Sequence, residues 1–355
     1  MKNEKFMMKT REQIEKSLSN EIYMGAILKN EFLVNTLHSI NFHDYYFFLM
    51  ENMELNNLKS FNETKIENCS ELLCSYFIYQ CLQGLHYMHS KLIVHRDIKL
   101  ENILINKDYQ VKLADFSMAT QLKENTKYPI SKSGTIPYLP PESFLVKKDK
   151  SKTDNKNKEK NNNNNNNNKN INNNNISNNN NTININIHVH KRLLSAQSSL
   201  KKDIFALGIV MYRLLFKEHP FNYEYKMDRD TYGTLLKNSK LNFKGKELTT
   251  DCMEFLKGLL SHNLKKRFNI NEALNHPWII KTQKIIKYIM GNNKDKNKFS
   301  LILALNNFVF KEDIEPMKNN NIILDFSTKD SEDKEKDKIF TRLKRRRSNI
   351  NEYEI

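Results

Sequence analysis

Residues 92–117 read Leu-Ile-Val-His-Arg-Asp-Ile-Lys-Leu-Glu-Asn-Ile-Leu-Ile-Asn-Lys-Asp-Tyr-Gln-Val-Lys-Leu-Ala-Asp-Phe-Ser. Two acids are set in this stretch, Asp97 and Asp115, each close behind a short β-branched or apolar run (Ile93-Val94 and Val111 to Ala114). Between them stand Lys99 and Asn102. Two apolar triplets follow, Ile103–Ile105 and Val111–Leu113, around the turn formers Asn106 to Asp108. Such triplets about a polar turn predict a β-hairpin.

The flanks have their own patterns. Leu72, Leu73, Phe77, Cys81, Leu85 and Met88 recur at helical spacing and predict a long amphipathic helix over residues 70–90. Downstream, residues 202–215 are apolar nearly all round, as expected of a buried helix. In between the composition breaks: 17 of the 21 residues from 161 to 181 are Asn. A tract with nothing to bury cannot offset its ordering entropy, so residues 147–194 are expected to be an inserted disordered loop. Its closure cost grows only logarithmically with length.

The chain has 355 residues and a net charge of +16, from 57 basic and 41 acidic side chains. The excess concentrates in two places. Residues 147–169 carry eight Lys against three acids, and residues 342–347 carry five basic side chains. Both read as solvated charge in disordered segments, so no nucleic-acid partner is expected. The cluster at 342–347 is a weak nuclear-import pattern, and the expected location is intracellular, cytoplasmic or nuclear. Cys69, Cys74, Cys81 and Cys252 form no Cys-x-x-Cys pair, which argues against zinc and against a disulfide framework. No apolar run reaches the ~18 residues of a membrane span. The first residues lack the apolar stretch of a signal peptide. His86, His89 and His95 lack an acid or Cys to complete a metal set.

In order and spacing, residues 95–117 resemble the catalytic and metal-binding loops of eukaryotic protein kinases, His-Arg-Asp-x-Lys-x-x-Asn followed by Asp-Phe-Gly, with Ser117 where the family has Gly. The resemblance runs from residue 5 to about 280, without the insertion. It implies an α+β, bilobal kinase-like fold. Residues 1–53 would form a partial small lobe, and residues 54–285 a mainly helical large lobe. Residues 286–355 would be a largely disordered extension, although Phe299–Phe310 is apolar enough to dock as a helix or strand. The implied activity is transfer of the ATP γ-phosphate to Ser or Thr hydroxyls of a protein substrate, with Mg²⁺. Asp97 would accept or orient the hydroxyl proton, and Lys99, the Ser/Thr-type residue, would stabilise the γ-phosphate. Asn102 and Asp115 would hold Mg²⁺. Lys9 would grip the phosphates, held by Glu21, while Glu51, Met53 and Leu104 would line the nucleotide site. Arg96 would read a phosphate on Ser131, with Thr135 in the same regulatory segment. Asp203 would hold the catalytic-loop backbone, and Arg267 would fork onto Glu142.

The resemblance also places Phe32–Val34 and Phe47–Glu51 on small-lobe strands, and Glu21 on a helix within residues 12–28. Three departures accompany it. No Gly-x-Gly-x-x-Gly occurs in the chain, and residues 1–24 contain no Gly. Met7 stands where a small residue is usual, and Gly25 where a Leu or Met packs on Phe116. The missing Gly-rich loop leaves open an alternative: a kinase-fold binding module without turnover. At the positions where kinases selecting Arg carry acids stand Asn57, Glu101 and Arg213, so no strong Arg preference is expected. The sequence is silent on oligomeric state.

Overall fold

The computed structural model describes residues 11–42, 45–66, 68–123, 133–144, 180–243, 245–292 and 298–307. Lys9, Met7, Ser131 and the cluster at 342–347 lie outside the described residues.

The first part of the chain forms helix α1 (Arg11–Ile27) and an antiparallel hairpin, β1 (Thr36–Phe42) with β2 (Tyr45–Met50). Cross-strand partners Ile40–Phe47 and Phe42–Tyr45, joined by Leu49, leave one apolar face of the hairpin exposed. The expected strand at Phe32–Val34 is not one. Those residues run beside Val111–Leu113 through two backbone bonds, Val34 N to Leu113 O and Leu113 N to Phe32 O, and the strand proper starts two residues later. Gly25 stands where the resemblance places a larger side chain. It lets α1 approach β1, because a Cβ there would sit 2.6 Å from Thr36 Oγ1.

The rest is mainly helical. Helices α2 (Leu58–Thr64) and α3 (Glu71–Ser90) begin on side-chain caps: Asn57 accepts from Ser60 N, and Ser70 accepts from Leu73 N. Strand β3 (Ile93–Val94) pairs with β6 (Thr120–Gln121), and β4 (Ile103–Ile105) pairs with β5 (Val111–Leu113), as the triplets predict. Helix α4 (Asn180–Phe216) follows, then α5 (Arg229–Asn238), α6 (Thr250–Leu259), α7 (Ile270–Leu274), α8 (Pro277–Asn292) and α9 (Lys298–Asn307).

The core lies between α3 and α4. Leu72, Phe77, Cys81, Leu85 and Met88 of α3 and Ile204 to Met211 of α4 are buried. Trp278 closes this core from α8, and its indole Nε1 donates to Glu71. All four cysteines are buried and reduced.

Two boundaries differ from expectation. Backbone from 180 to 194 belongs to α4, where composition argued for a disordered loop. Extending a helix from a formed end gains one hydrogen bond per residue fixed, without a new nucleus. Residues 286–292 and 298–307 continue the fold rather than leaving it: Ile286, Ile289, Leu301, Ile302 and Leu305 are buried. Ser70 ties α9 to the start of α3, donating from its hydroxyl to Leu305 O and from its N–H to Asn306 Oδ1. No helix among the described residues is long and apolar enough to cross a membrane.

Candidate active site

The site forms where α3 runs into β3 and the β4–β5 hairpin returns beside it. His95 is fully buried, its Nε2 3.1 Å from Ala114 O, and that contact ties the residues before Asp97 to those before Asp115. Asp203, at the buried start of the apolar part of α4, accepts from His95 N and Arg96 N, each at 2.9 Å. His89 Nε2 lies 3.0 Å from the same carboxylate. Three groups on α3 and the following loop therefore converge on one acid from a distant helix. This holds Arg96 at φ 71°, a left-handed conformation uncommon for any residue with a Cβ.

Four donors converge on Asp97. Thr135 supplies its hydroxyl at 2.6 Å and its N–H at 3.2 Å to Oδ1. Lys99 Nζ at 2.6 Å and Asn102 Nδ2 at 3.0 Å donate to Oδ2. Burial pushes the Asp97 carboxyl up, but the hydrogen bonds from Lys99 and Thr135 and the nearby positive charge outweigh it and hold it below the usual carboxylate range. Asp97 is thus an ionised, oriented acceptor at neutral pH.

Asp115 is exposed, with φ 64°. Its Oδ1 accepts from the Ser117 hydroxyl at 2.6 Å, and Asn102 Nδ2 lies 3.4 Å from Oδ2. Ser117 therefore adds a side-chain clasp on the acid, and its own φ is not positive. Asn102 spends its amide nitrogen on Asp97 and Asp115, so its oxygen is the end left to face a cation. Carboxylate and amide oxygens suit a hard cation such as Mg²⁺. Among the described residues no cluster of three or more His, Cys, Asp or Glu could hold a metal alone.

The remaining expected residues sort as follows. Glu21 lies against the Phe116 backbone, and among the described residues its buried Oε2 has no hydrogen-bond partner. Burial raises its carboxyl to about 7 against an opposing bond from the Phe116 backbone, with a smaller upward push from the Asp115 charge. Glu51 accepts from Asn35 N at 2.6 Å and pairs with Lys112 at 2.7 Å, so its carboxylate braces β2 against β5. Met53 and Leu104 are half-buried. Arg267 forks onto Glu142 at 2.6 and 2.9 Å, as expected. Thr135, expected in the regulatory segment, bonds the Asp97 carboxylate and also accepts from Lys99 Nζ at 3.3 Å.

One contributor escaped the sequence reading. Asn20, beside Glu21 on α1, points its Nδ2 at Phe116 O, Ser117 O and Ala119 O, at 3.1, 3.0 and 2.9 Å. It clamps the loop that carries Asp115. An Asn inside a helix is a weak hint on its own, because it disfavours helix unless its amide is used elsewhere.

Gly134 closes the site. Its φ is +118°, and a Cβ there would lie 2.8 Å from Arg96 O. Only Gly lets residues 133–135 lie close enough for Thr135 to reach Asp97.

Comparison with known proteins agrees with this geometry. A family model described as protein kinase domain matches residues 2–158 and 191–279. The chain is 37% identical over 127 residues to a probable serine/threonine-protein kinase of Dictyostelium discoideum, covering 36% of this chain and 25% of that protein. It is 29% identical over 214 residues to an Aurora kinase of Candida glabrata, covering 60% and 45%. With an Aurora kinase of Eremothecium gossypii the identity is 26% over 270 residues, covering 76% and 59%. The chain thus spans between a quarter and about three fifths of the length of these relatives.

Proposed function

The chain belongs to the protein kinase family, and from that premise we propose that it transfers the γ-phosphate of ATP to serine or threonine hydroxyls of proteins. The observation that carries this reading is the Asp97 carboxylate, ionised and held by Thr135, Lys99 and Asn102.

In this reading Asp97 orients the acceptor hydroxyl and takes up its proton. The hydroxyl enters beside Thr135, whose own hydroxyl already marks a hydrogen-bonding position on Oδ1. Lys99, 2.6 Å from Asp97, places a positive charge where the phosphoryl group meets the acceptor. Asn102 and Asp115 would hold Mg²⁺, which neutralises phosphate charge when bound. Asp203 keeps Asp97 in place by fixing the two preceding amides. A lysine rather than an arginine-type pattern at Lys99 supports the serine/threonine class, as do the names of the relatives.

The alternative reading is a kinase-fold binding module without turnover. Radiolabelled phosphate transfer from ATP to a generic protein substrate separates the two. The native chain should label the substrate, and Asp97→Asn should lose at least ~10²-fold in rate. Equal, background-level labelling by both proteins would refute the kinase reading.

A further inference from the structure

Ser117 stands where the kinase family has Gly, and the structure gives its side chain a use. Its hydroxyl donates to Asp115 Oδ1 at 2.6 Å, within the range of a charge-assisted bond between oxygens. Its backbone N–H reaches the same oxygen at 3.3 Å. The residue is held against the acid. Asn20 Nδ2 donates to its carbonyl at 3.0 Å and to the carbonyls of Phe116 and Ala119 at 3.1 and 2.9 Å. Its φ is not positive, so the backbone here does not itself demand glycine.

A carboxylate offers about four acceptor positions, two on each oxygen. On Asp115 both positions of Oδ1 carry a donor, the Ser117 hydroxyl and N–H. On Oδ2 one position faces Asn102 Nδ2 at 3.4 Å. One position, on Oδ2, is left for a cation. Asn102 adds its amide oxygen, because its nitrogen is turned to Asp97 O, Asp97 Oδ2 and Asp115 Oδ2. Asp97 has little to spare: Thr135 holds its Oδ1, and Lys99 and Asn102 hold its Oδ2. Protein kinases ordinarily share two Mg²⁺ between such an acid and such an asparagine. Each cation needs an open position on the acid, and here a serine hydroxyl stands on the oxygen that would serve the second.

We infer that Ser117 limits this site to one divalent cation, held through Asp115 Oδ2 and the Asn102 amide oxygen. Ser117 is a positioning residue in this respect: it acts through Asp115, by fixing which oxygen the acid presents. The inference rests on the reading of Asp115 and Asn102 as the Mg²⁺ pair.

The test counts Mn²⁺ bound to the full chain per molecule of bound AMP-PNP, a non-hydrolysable ATP analogue. Equilibrium dialysis separates free from bound ion, and electron paramagnetic resonance measures the free Mn²⁺. The native chain should hold one ion. Ser117→Ala and Ser117→Gly should hold two, a twofold rise, since either frees a position on Oδ1 without straining the backbone. Ser117→Thr keeps the hydroxyl and should return the count to one. Asp115→Asn should weaken Mn²⁺ binding at least ~10-fold, which ties the counted ion to this acid. Phosphate transfer measured on the same proteins separates the inference from the kinase reading. These counts with background transfer by the native chain would support the inference while removing that reading. A native count of two, equal counts in the native chain and Ser117→Ala, unchanged Mn²⁺ affinity in Asp115→Asn, or no Mn²⁺ on any form would overturn the inference, whether or not the native chain transfers phosphate.

Discussion

Replacing Glu142 by Ala strips a buried guanidinium of its carboxylate. Arg267 is 0% exposed, and it makes four hydrogen bonds: two to Glu142, one from Nε to Ser261 O at 2.9 Å and one from NH1 to Lys201 O at 3.3 Å. Its guanidinium carbon lies 4.8 Å from the centre of the Phe205 ring. Nothing here lets water replace Glu142 cheaply. Each lost bond to a charged group contributes about 1.5–3 kcal/mol. Two of them agree with the roughly 3–5 kcal/mol observed when one partner of a buried pair is removed. With a urea dependence near ~3 kcal/mol per M, the unfolding midpoint should fall by roughly 1–2 M. Glu142→Gln keeps one acceptor oxygen and should lose about half as much. Glu142→Leu combined with Arg267→Met should recover most of the loss, because no charge is then buried. The assay is urea unfolding followed by tryptophan fluorescence, Trp278 being the single reporter and fully inside the core. As a control, the Lys59–Glu101 pair is 41% and 36% exposed, and its removal should cost no more than ~1 kcal/mol. A midpoint shift for Glu142→Ala no larger than that of the control would refute the argument.

Two further outcomes follow from the other end of the site. Glu21 has its folded carboxyl raised from 4.5 to about 7, so the folded state binds a proton more tightly than the unfolded one between those values. Stability should therefore fall as pH rises from about 4.5 to 7, by up to ~3 kcal/mol, and Glu21→Gln should remove that slope; thermal melts at pH 5 and pH 8 that shift equally in both proteins would contradict it. Asn20→Ala should speed amide hydrogen exchange at residues 116–119 by about tenfold or more while leaving α3 unchanged, because it releases three carbonyls from one clamp; unchanged exchange there would show that the clamp does not hold the loop.

Local pattern was a good guide wherever one segment decides its own shape. The triplets around Asn106–Asp108 paired as a hairpin, and the apolar spacing of residues 70–90 and 202–215 formed the two helices of the core. Asp203, Glu142 and Arg267 were placed through family resemblance, and their bonds follow it. The strand expected at Phe32–Val34 failed because three apolar residues fit a bridge to Leu113 as well as a strand. Helix α9 was only half legible, since an apolar run does not say which surface will cover it.

The order and spacing of Asp97, Lys99, Asn102 and Asp115 were readable from the chain because a loop and a hairpin set them within some twenty residues of one another. Contacts across large separations were not. Thr135 comes to Asp97 from 38 residues away, and Asn20 reaches Phe116 across 96. A hydroxyl or an amide can satisfy itself locally, with water or across the fold, and its identity does not distinguish these. Packing made the choice: Gly134 lets one segment close on Asp97, and Gly25 lets α1 press toward β1 as Asn20 meets the Asp115 loop.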